Sequence, residues 1–319
     1  MKILVTGSSG FIGFHVVKSL LKRGNEVLGV DNHTNYYDVQ LKHSRLNILK
    51  NYQNFSFEKV DISDSKEINR IFKSFEPQKV VNLAAQPGVR YSIDNPHEYM
   101  KSNLVGFLNV IEMCRHFDVE SFIYASSSSV YGNNNDIPFN TNSETSRPIS
   151  FYGATKKSNE LIAHSYSDLF GLRCVGLRYF TVYGPWYRPD MAIFKFTKSI
   201  SEDIAISVYN NGKMKRDFTY IDDIVDGTIA AIDHKCEYEI YNLGNNKGEN
   251  LLDMISIIEK YLSKKATLEF KPLQLGDPEI TYANIEKSTR DLGFSPKVSL
   301  KKGIPNFIDW YKEYYNAQF

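Results

Sequence analysis
The sequence predicts an α/β protein, a doubly wound parallel sheet followed by a smaller C-terminal α/β domain. Three observations predict it. Short β-rich runs alternate with amphipathic helical stretches through the first half of the chain. A glycine-rich turn joins the first run to the first helix. The alternation then breaks at a loop with two prolines, Tyr183-Gly-Pro-Trp-Tyr-Arg-Pro-Asp190. Repeated β-α units close into a parallel sheet with right-handed crossovers and helices on both faces.

The elements follow in order. Ile3-Leu-Val5 reads as a buried strand, and Phe11 to Leu21 has helical periodicity with Gly24 just past its end. Glu26 to Asp31 is the second strand, and a helix around Val39 to Leu49 leads to a third at Phe55 to Val60. Asp64 to Phe75 is helical with Pro77 beyond it, and Lys79 to Ala84 is a strand. Pro96 to His116 reads as one long helix and Ser121 to Ala125 as a strand. Phe151 to Phe170 is helical and Cys174 to Tyr179 is strand-like. The expected organisation is a first domain over residues 1–182, rejoined by the chain at about 218–242, and a second over 183–217 and 243–319.

Bulk composition excludes several classes. The 319 residues are 42% hydrophobic and 24% charged with a net charge of +1, so no field draws the chain to nucleic acid or an anionic membrane. No stretch approaches the ~20 apolar residues of a membrane span, and the N-terminus lacks the length of a secretory core. Three scattered cysteines form no disulfide framework, and the histidines show no metal-ligand spacing. A soluble, cytoplasmic protein with no metal is expected.

The turn Gly7-Ser-Ser-Gly10-Phe-Ile-Gly13 lies between strand and helix. Glycines there let backbone N–H groups approach a pyrophosphate at the helix N-terminus, and Gly13 lets helix and strand pack closely. The spacing is GxxGxxG, not the commoner GxGxxG. Asp31 ends the second strand, where a carboxylate accepts from an adenosine ribose 2′-hydroxyl and repels a 2′-phosphate; no Arg or Lys follows before Lys42. The cofactor read from this is NAD. Asp61-Ile62 stands where an adenine amine is held.

Tyr152-Gly-Ala-Thr-Lys156 sets a phenol and an ammonium on one helix face. Lys156 together with a positive nicotinamide stabilises a Tyr152 phenolate, which makes a general base for a hydroxyl proton. Two other YxxxK runs begin at Tyr209 and Tyr261, but neither follows a strand carrying hydroxyls. Tyr152 follows the four serines Ser126 to Ser129.

Further segments extend the pattern: Tyr36-Tyr-Asp-Val39, Ala84-Ala-Gln-Pro-Gly-Val-Arg-Tyr-Ser92, Ser102-Asn-Leu-Val-Gly106, Arg188-Pro-Asp-Met-Ala192 and Gly212-Lys-Met-Lys-Arg-Asp-Phe-Thr-Tyr-Ile-Asp-Asp223. With these in order, the chain resembles the extended short-chain dehydrogenase/reductases and, within them, the NAD-dependent epimerase/dehydratase family. The last two segments are most similar to the UDP-glucuronate 4-epimerase group. The resemblance implies a Rossmann-type NAD domain and a C-terminal nucleotide-sugar domain, covering most of the chain.

It also implies site residues. Phe11, Ile12 and Asn32 would join the cofactor contacts, with Leu83, Ala84, Ala85 and Gln86 at the end of the fourth strand, and Ser126 and Tyr179. Ser127 would hydrogen-bond the sugar 4-hydroxyl beside Tyr152, flanked by Ser128 and Ser129. Thr181 falls where galactose-type epimerases carry an asparagine that touches the nucleotide. Arg216 matches a diphosphate arginine, and Gln274 stands where those enzymes have a second. Arg90, Arg188 and Tyr209 complete the implied substrate contacts, although surface arginines or structural ion pairs also account for Arg90, Arg188 and Arg216. Tyr187 and Pro87 depart from the residues usual at their positions and bear on substrate preference. The implied reaction interconverts UDP-glucuronate and UDP-galacturonate through a 4-keto sugar, for polysaccharide biosynthesis, in a homodimer formed through the helices near Pro96–His116 and Phe151–Phe170. The alternatives are a 4-epimerase of UDP-N-acetylhexosamine or UDP-glucose, and a catalytically silent NAD-binding sensor.

Overall fold
A computed structural model describes residues 1–134, 136–274, 276 and 278–317. Seven strands form the main sheet: β1 (Lys2–Thr6), β2 (Glu26–Val30), β3 (Phe55–Glu58), β4 (Lys79–Asn82), β5 (Ser121–Ser127), β6 (Cys174–Tyr179) and β7 (Tyr238–Leu243). Their order is β7-β6-β5-β4-β1-β2-β3, with every pair parallel. The inner strands are buried on both faces, which is why β1 and the centre of β4 read as continuous apolar runs, while the edge strand β3 is only half-buried. Ile3 and Val5 point into one core layer and Leu4 into the other, as alternation along a strand requires. The strand order reverses between β1 and β4, and a crevice opens at the carboxyl ends of strands at such a reversal.

Local chemistry sets the helix ends. Asp64 caps the helix Ser65–Phe75 by accepting from the N–H groups of Lys66 and Glu67. Ser150 caps the helix Phe151–Phe170 by accepting from the Gly153 N–H, and Gly171 closes it at φ 68°, a left-handed conformation that glycine adopts without strain.

Two elements differ from the sequence reading. The segment Pro96–His116 is helical throughout, but Met100–Val105 is a π-helical stretch between two α-helical ones. The cause is long-range. Asn103 from this stretch accepts from the Gln86 N–H at 2.8 Å and donates to the Gln86 carbonyl at 3.1 Å and to Thr155 Oγ1 at 3.1 Å. β5 also runs past Ala125 to Ser127, because Ser126 and Ser127 stay in register with Arg178 and Tyr179 of β6.

Of the chain near 218–242, β7 joins the main sheet and the helix Ile221–Asp233 packs on the helix Phe11–Lys22. Phe218–Tyr220 pairs instead with Thr181–Tyr183, outside that sheet. Further on, Lys215–Arg216 lies between Glu249–Asn250 and Ile280–Thr281. One core layer continues from Ile3 and Phe14 through Phe194 to Phe307 and Tyr311, so the C-terminal part shares its core with the sheet. No helix among the described residues is long and apolar enough to cross a membrane.

Candidate active site
One cavity of about 1470 Å³ crosses the ends of β1, β4, β5 and β6. Single small-molecule pockets run to ~300–1,000 Å³, so this one has room for two ligands end to end. Every site residue expected from the sequence lines it except Gln274, whose place on the wall is taken by Gly276 and Pro278. Gln274 Oε1 is instead buried without a hydrogen-bond partner.

The glycine turn fits a dinucleotide pyrophosphate. A Cβ on Gly7 would lie 2.7 Å from the Ala84 nitrogen, and one on Gly13 would lie 2.1 Å from the Gly7 carbonyl oxygen. The helix Phe11–Lys22 starts there with no side-chain cap and no acidic residue in its first turn. Its leading N–H groups are therefore available to an anion. Asp31 Oδ1 accepts from the His33 N–H at 2.8 Å and Oδ2 from the Ser9 N–H at 3.2 Å. Each carboxylate oxygen has a second lone pair for a ribose hydroxyl. Lys42 Nζ lies 3.9 Å from Asp31 Oδ1, with both side chains nearly buried. Asp61 accepts from Ser63 through Oδ1 and pairs with Lys101 through Oδ2 at 2.9 Å. Burial works to raise its carboxyl, but these partners prevail and hold it down to about 2.

At the other end of the cavity, Tyr152 sits in the first turn of its helix, where its N–H donates to Ser92 Oγ at 3.2 Å. Burial raises its phenol above the usual 10, while Ser127 and the positive charge of Arg188 draw it back. Lys156, one turn on, donates to the Ala125 carbonyl at 2.8 Å, and burial lowers its ammonium to about 8. Arg188 thus adds a positive charge acting on Tyr152, beyond the Lys156 named from the sequence. Ser127 Oγ accepts from the Ser129 N–H and donates to Ser129 Oγ, both at 3.2 Å, because Ser127 caps the short turn Ser128–Tyr131. Ser126 donates to Glu160 Oε1 at 2.7 Å.

The arginines separate by role. Arg188 forks onto Asp190 through Nε and Nη2, so it is an ion pair built into the cavity wall. Tyr36 donates to the same Asp190 at 3.3 Å. Arg90 lies over the Tyr209 ring at 5.0 Å, which places both expected substrate contacts together. Arg216 donates to the Lys215 and Glu279 carbonyls from the edge of its strand. Thr181 opens the strand beside it and donates its N–H to the Asp217 carbonyl. Lys42, Tyr36 and Asp190 are site residues that the sequence reading missed. The last two lay inside the quoted segments, and their pairing across 154 residues left no local signal.

Known proteins resemble this chain in sequence and fold. The model of the NAD dependent epimerase/dehydratase family matches residues 3–244. Protein CapI of Staphylococcus aureus is 48% identical over 99% of this chain and 99% of its own length. UDP-glucuronate 4-epimerase 3 of Arabidopsis thaliana is 42% identical over 99% of this chain and 77% of its own. The crystal structure of UDP-glucuronic acid 4-epimerase from Bacillus cereus, in complex with UDP-glucuronic acid and NAD, matches at a TM-score of 0.94 and 37% identity, covering 99% of this chain and 100% of that one.

Proposed function
This chain belongs to the NAD-dependent epimerase/dehydratase family, and from that premise we propose that it is an NAD-dependent 4-epimerase interconverting UDP-glucuronate and UDP-galacturonate. The observation that carries the reading is the meeting of Ser127, Tyr152 and Lys156 with the glycine turn in one cavity large enough for cofactor and nucleotide sugar. The similarity to UDP-glucuronate 4-epimerases over nearly the whole chain selects the uronate.

When bound, NAD takes up and returns the hydride at C4 of the sugar. The chain's own residues do the rest. Tyr152 takes the proton of the 4-hydroxyl and later returns it, and Ser127 orients that hydroxyl. Lys156 is held on the Ala125 carbonyl at a fixed reach from Tyr152. The 4-keto sugar must turn over between the two transfers, so the nucleotide has to be gripped and the hexose held loosely. Arg216 and Thr181 suit the first demand. The hydroxyls of Ser127, Ser128 and Ser129 suit the second, since each bond is worth only ~1 kcal/mol net. With Arg188 engaged by Asp190, these hydroxyls are also the better candidates to hold the C5 carboxylate in the sugar plane. That restraint would oppose loss of CO₂ from the 4-keto acid. We place the enzyme in the cytoplasm, as a homodimer supplying uronic acid for polysaccharide biosynthesis; its cysteines are free.

Proton NMR of the purified protein with UDP-glucuronate tests the assignment. A galacturonate anomeric signal is expected with no pentose product, and UDP-glucose and UDP-N-acetylglucosamine should turn over far more slowly. Equal turnover of UDP-glucose would overturn the substrate. Substantial 4-keto pentose would overturn the reaction.

A further inference from the structure
Arg45 is fully buried on the helix Val39–Leu49, and the chemistry above makes no use of it. Its Nη1 donates to the Ser9 carbonyl at 3.0 Å and to the Tyr37 hydroxyl at 2.8 Å, and its Nη2 donates to the Trp186 carbonyl. None of the three acceptors is a carboxylate. Its Nε is buried without a partner. A buried guanidinium on neutral acceptors carries a large desolvation cost, so a simple packing role is better filled by an apolar side chain.

The groups it joins give it a purpose. Ser9 immediately precedes Gly10 in the glycine turn, and its N–H is held by Asp31. Asp31 and Arg45 therefore fix the backbone of the turn through both polar groups of one residue. Trp186 belongs to the loop that leads into Tyr187 and Arg188, both on the cavity wall. Its φ is 66°, a left-handed conformation that a bulky residue adopts only when its surroundings enforce it. The preceding carbonyl, Pro185, accepts from His15 Nε2 at 3.0 Å, and His15 lies on the helix that the glycine turn opens. A carbonyl only accepts, so Nε2 carries the hydrogen. The substrate loop is thus bolted to the cofactor turn at two consecutive peptides.

We propose that Arg45 is a positioning residue that locks the glycine turn to the loop bearing Arg188, so that dinucleotide and UDP-sugar bind cooperatively. This rests on the cofactor and substrate proposed above. Each ligand presses on one of the two segments, and ordering either one orders the other through the shared guanidinium. By linkage the effect is reciprocal.

Calorimetry tests this on the full chain, with UDP-glucuronate, whose sugar end meets the Tyr152 side of the cavity beside Arg188, titrated before and after saturation with NAD. UDP-glucuronate should bind about tenfold tighter with NAD present, within the usual range of coupling between sites. In Arg45→Met the ratio should fall to within about twofold. Arg45→Lys, whose point charge cannot fork between two carbonyls, should give an intermediate ratio. A wild-type ratio near one, or an undiminished ratio in Arg45→Met, overturns the proposal. If Arg45→Met does not fold, hydrogen exchange on the wild type decides. NAD must slow exchange of the amides at 186–191, and unchanged rates overturn the proposal. If NAD fails to bind in the calorimeter at all, the proposed function falls as well, which separates that failure from this one.

Discussion

Burial lowers the Lys156 ammonium from its usual 10.5 to about 8, which makes it a cost in the folded chain at neutral pH. Between about pH 8 and the unfolded value the unfolded chain binds the extra proton, so stability rises with pH across that window. The displacement corresponds to ~3 kcal/mol, partly offset by the bond to Ala125 at ~1 kcal/mol. In urea unfolding of the cofactor-free protein this group adds a component that rises between about pH 8 and about 10.5, read as the difference between wild type and Lys156→Met. Lys156→Met should flatten that slope, and an unchanged slope would refute the attribution. Tyr152→Phe should keep NAD and lose nearly all turnover, since the ring stays and only the proton acceptor goes; turnover within a few-fold of wild type would remove Tyr152 as the base. The cofactor end was less legible. Asp31 was readable as a ribose ligand from its place at a strand end, but no local signal tied Lys42 to it, and the helix Val39–Leu49 folds it back onto that carboxylate. We expect a preference for NAD over NADP to depend on Asp31 pairing with Lys42. Asp31→Ala frees a cation at the cavity wall, and its affinity for NADP should rise about tenfold or more, as a charge-assisted bond provides. The double variant Asp31→Ala with Lys42→Met should lose that gain. Calorimetry of both cofactors decides it, and equal NADP binding by the single and double variants would clear Lys42.

The helix Phe151–Phe170 shows the same logic one level up. Tyr152, Lys156 and Glu160 recur every four residues and share one face. Glu160 is the anchor of that face. It pairs with Arg178 of β6 at 2.7 and 2.9 Å and accepts from Ser126 of β5 at 2.7 Å. Arg178 continues to the Tyr131 hydroxyl and the Thr141 carbonyl. Burial works to raise the Glu160 carboxyl, but Arg178 overrides it, and the net shift is downward. Its contribution is therefore present above the unfolded carboxyl range and is lost as pH falls through the lowered value. Glu160→Gln leaves the buried Arg178 guanidinium without its counter-charge and should cost ~3–5 kcal/mol. Urea unfolding measures it, and a loss below ~1 kcal/mol would mean the pair is not what fixes the helix. The helix itself was legible from periodicity, and Ser150 and Gly171 bound it where such residues should. The π-helical stretch at Met100–Val105 was not, because its cause lies in the bonds of Asn103 to Gln86 and Thr155 and not in the local sequence. Gln274 fails for a related reason. Its role was inferred by position against relatives, and the turn that carries it presents Gly276 and Pro278 to the cavity instead.

At the scale of the molecule, the break in sequence pattern near residue 183 was legible, but the core shared across it was not. Phe194 and Phe307 read as residues of a separate domain until packing joins them to the sheet. What remains outside any core is more informative. Leu161 is 59% exposed and Leu169 69%, with Phe170 beside them, and Val105 and Leu108 stand exposed on the neighbouring helix. The helices Gly106–His116 and Phe151–Phe170 lie against each other, so these side chains fall on adjoining helices. Scattered exposed leucines need no explanation, but a group on two packed helices supports the dimer proposed above. A twofold axis is the simplest closure, each protomer presenting the same helix pair to its partner. Sedimentation should therefore report twice the chain mass of 36.6 kDa. Leu161→Glu with Leu169→Glu puts two carboxylates on each side of such an interface and should yield a monomer. The catalytic side chains of Phe151–Phe170 point into the cavity, not toward this surface, so the monomer should still bind NAD. A wild-type protein that sediments as a monomer at micromolar concentration would rule the dimer out.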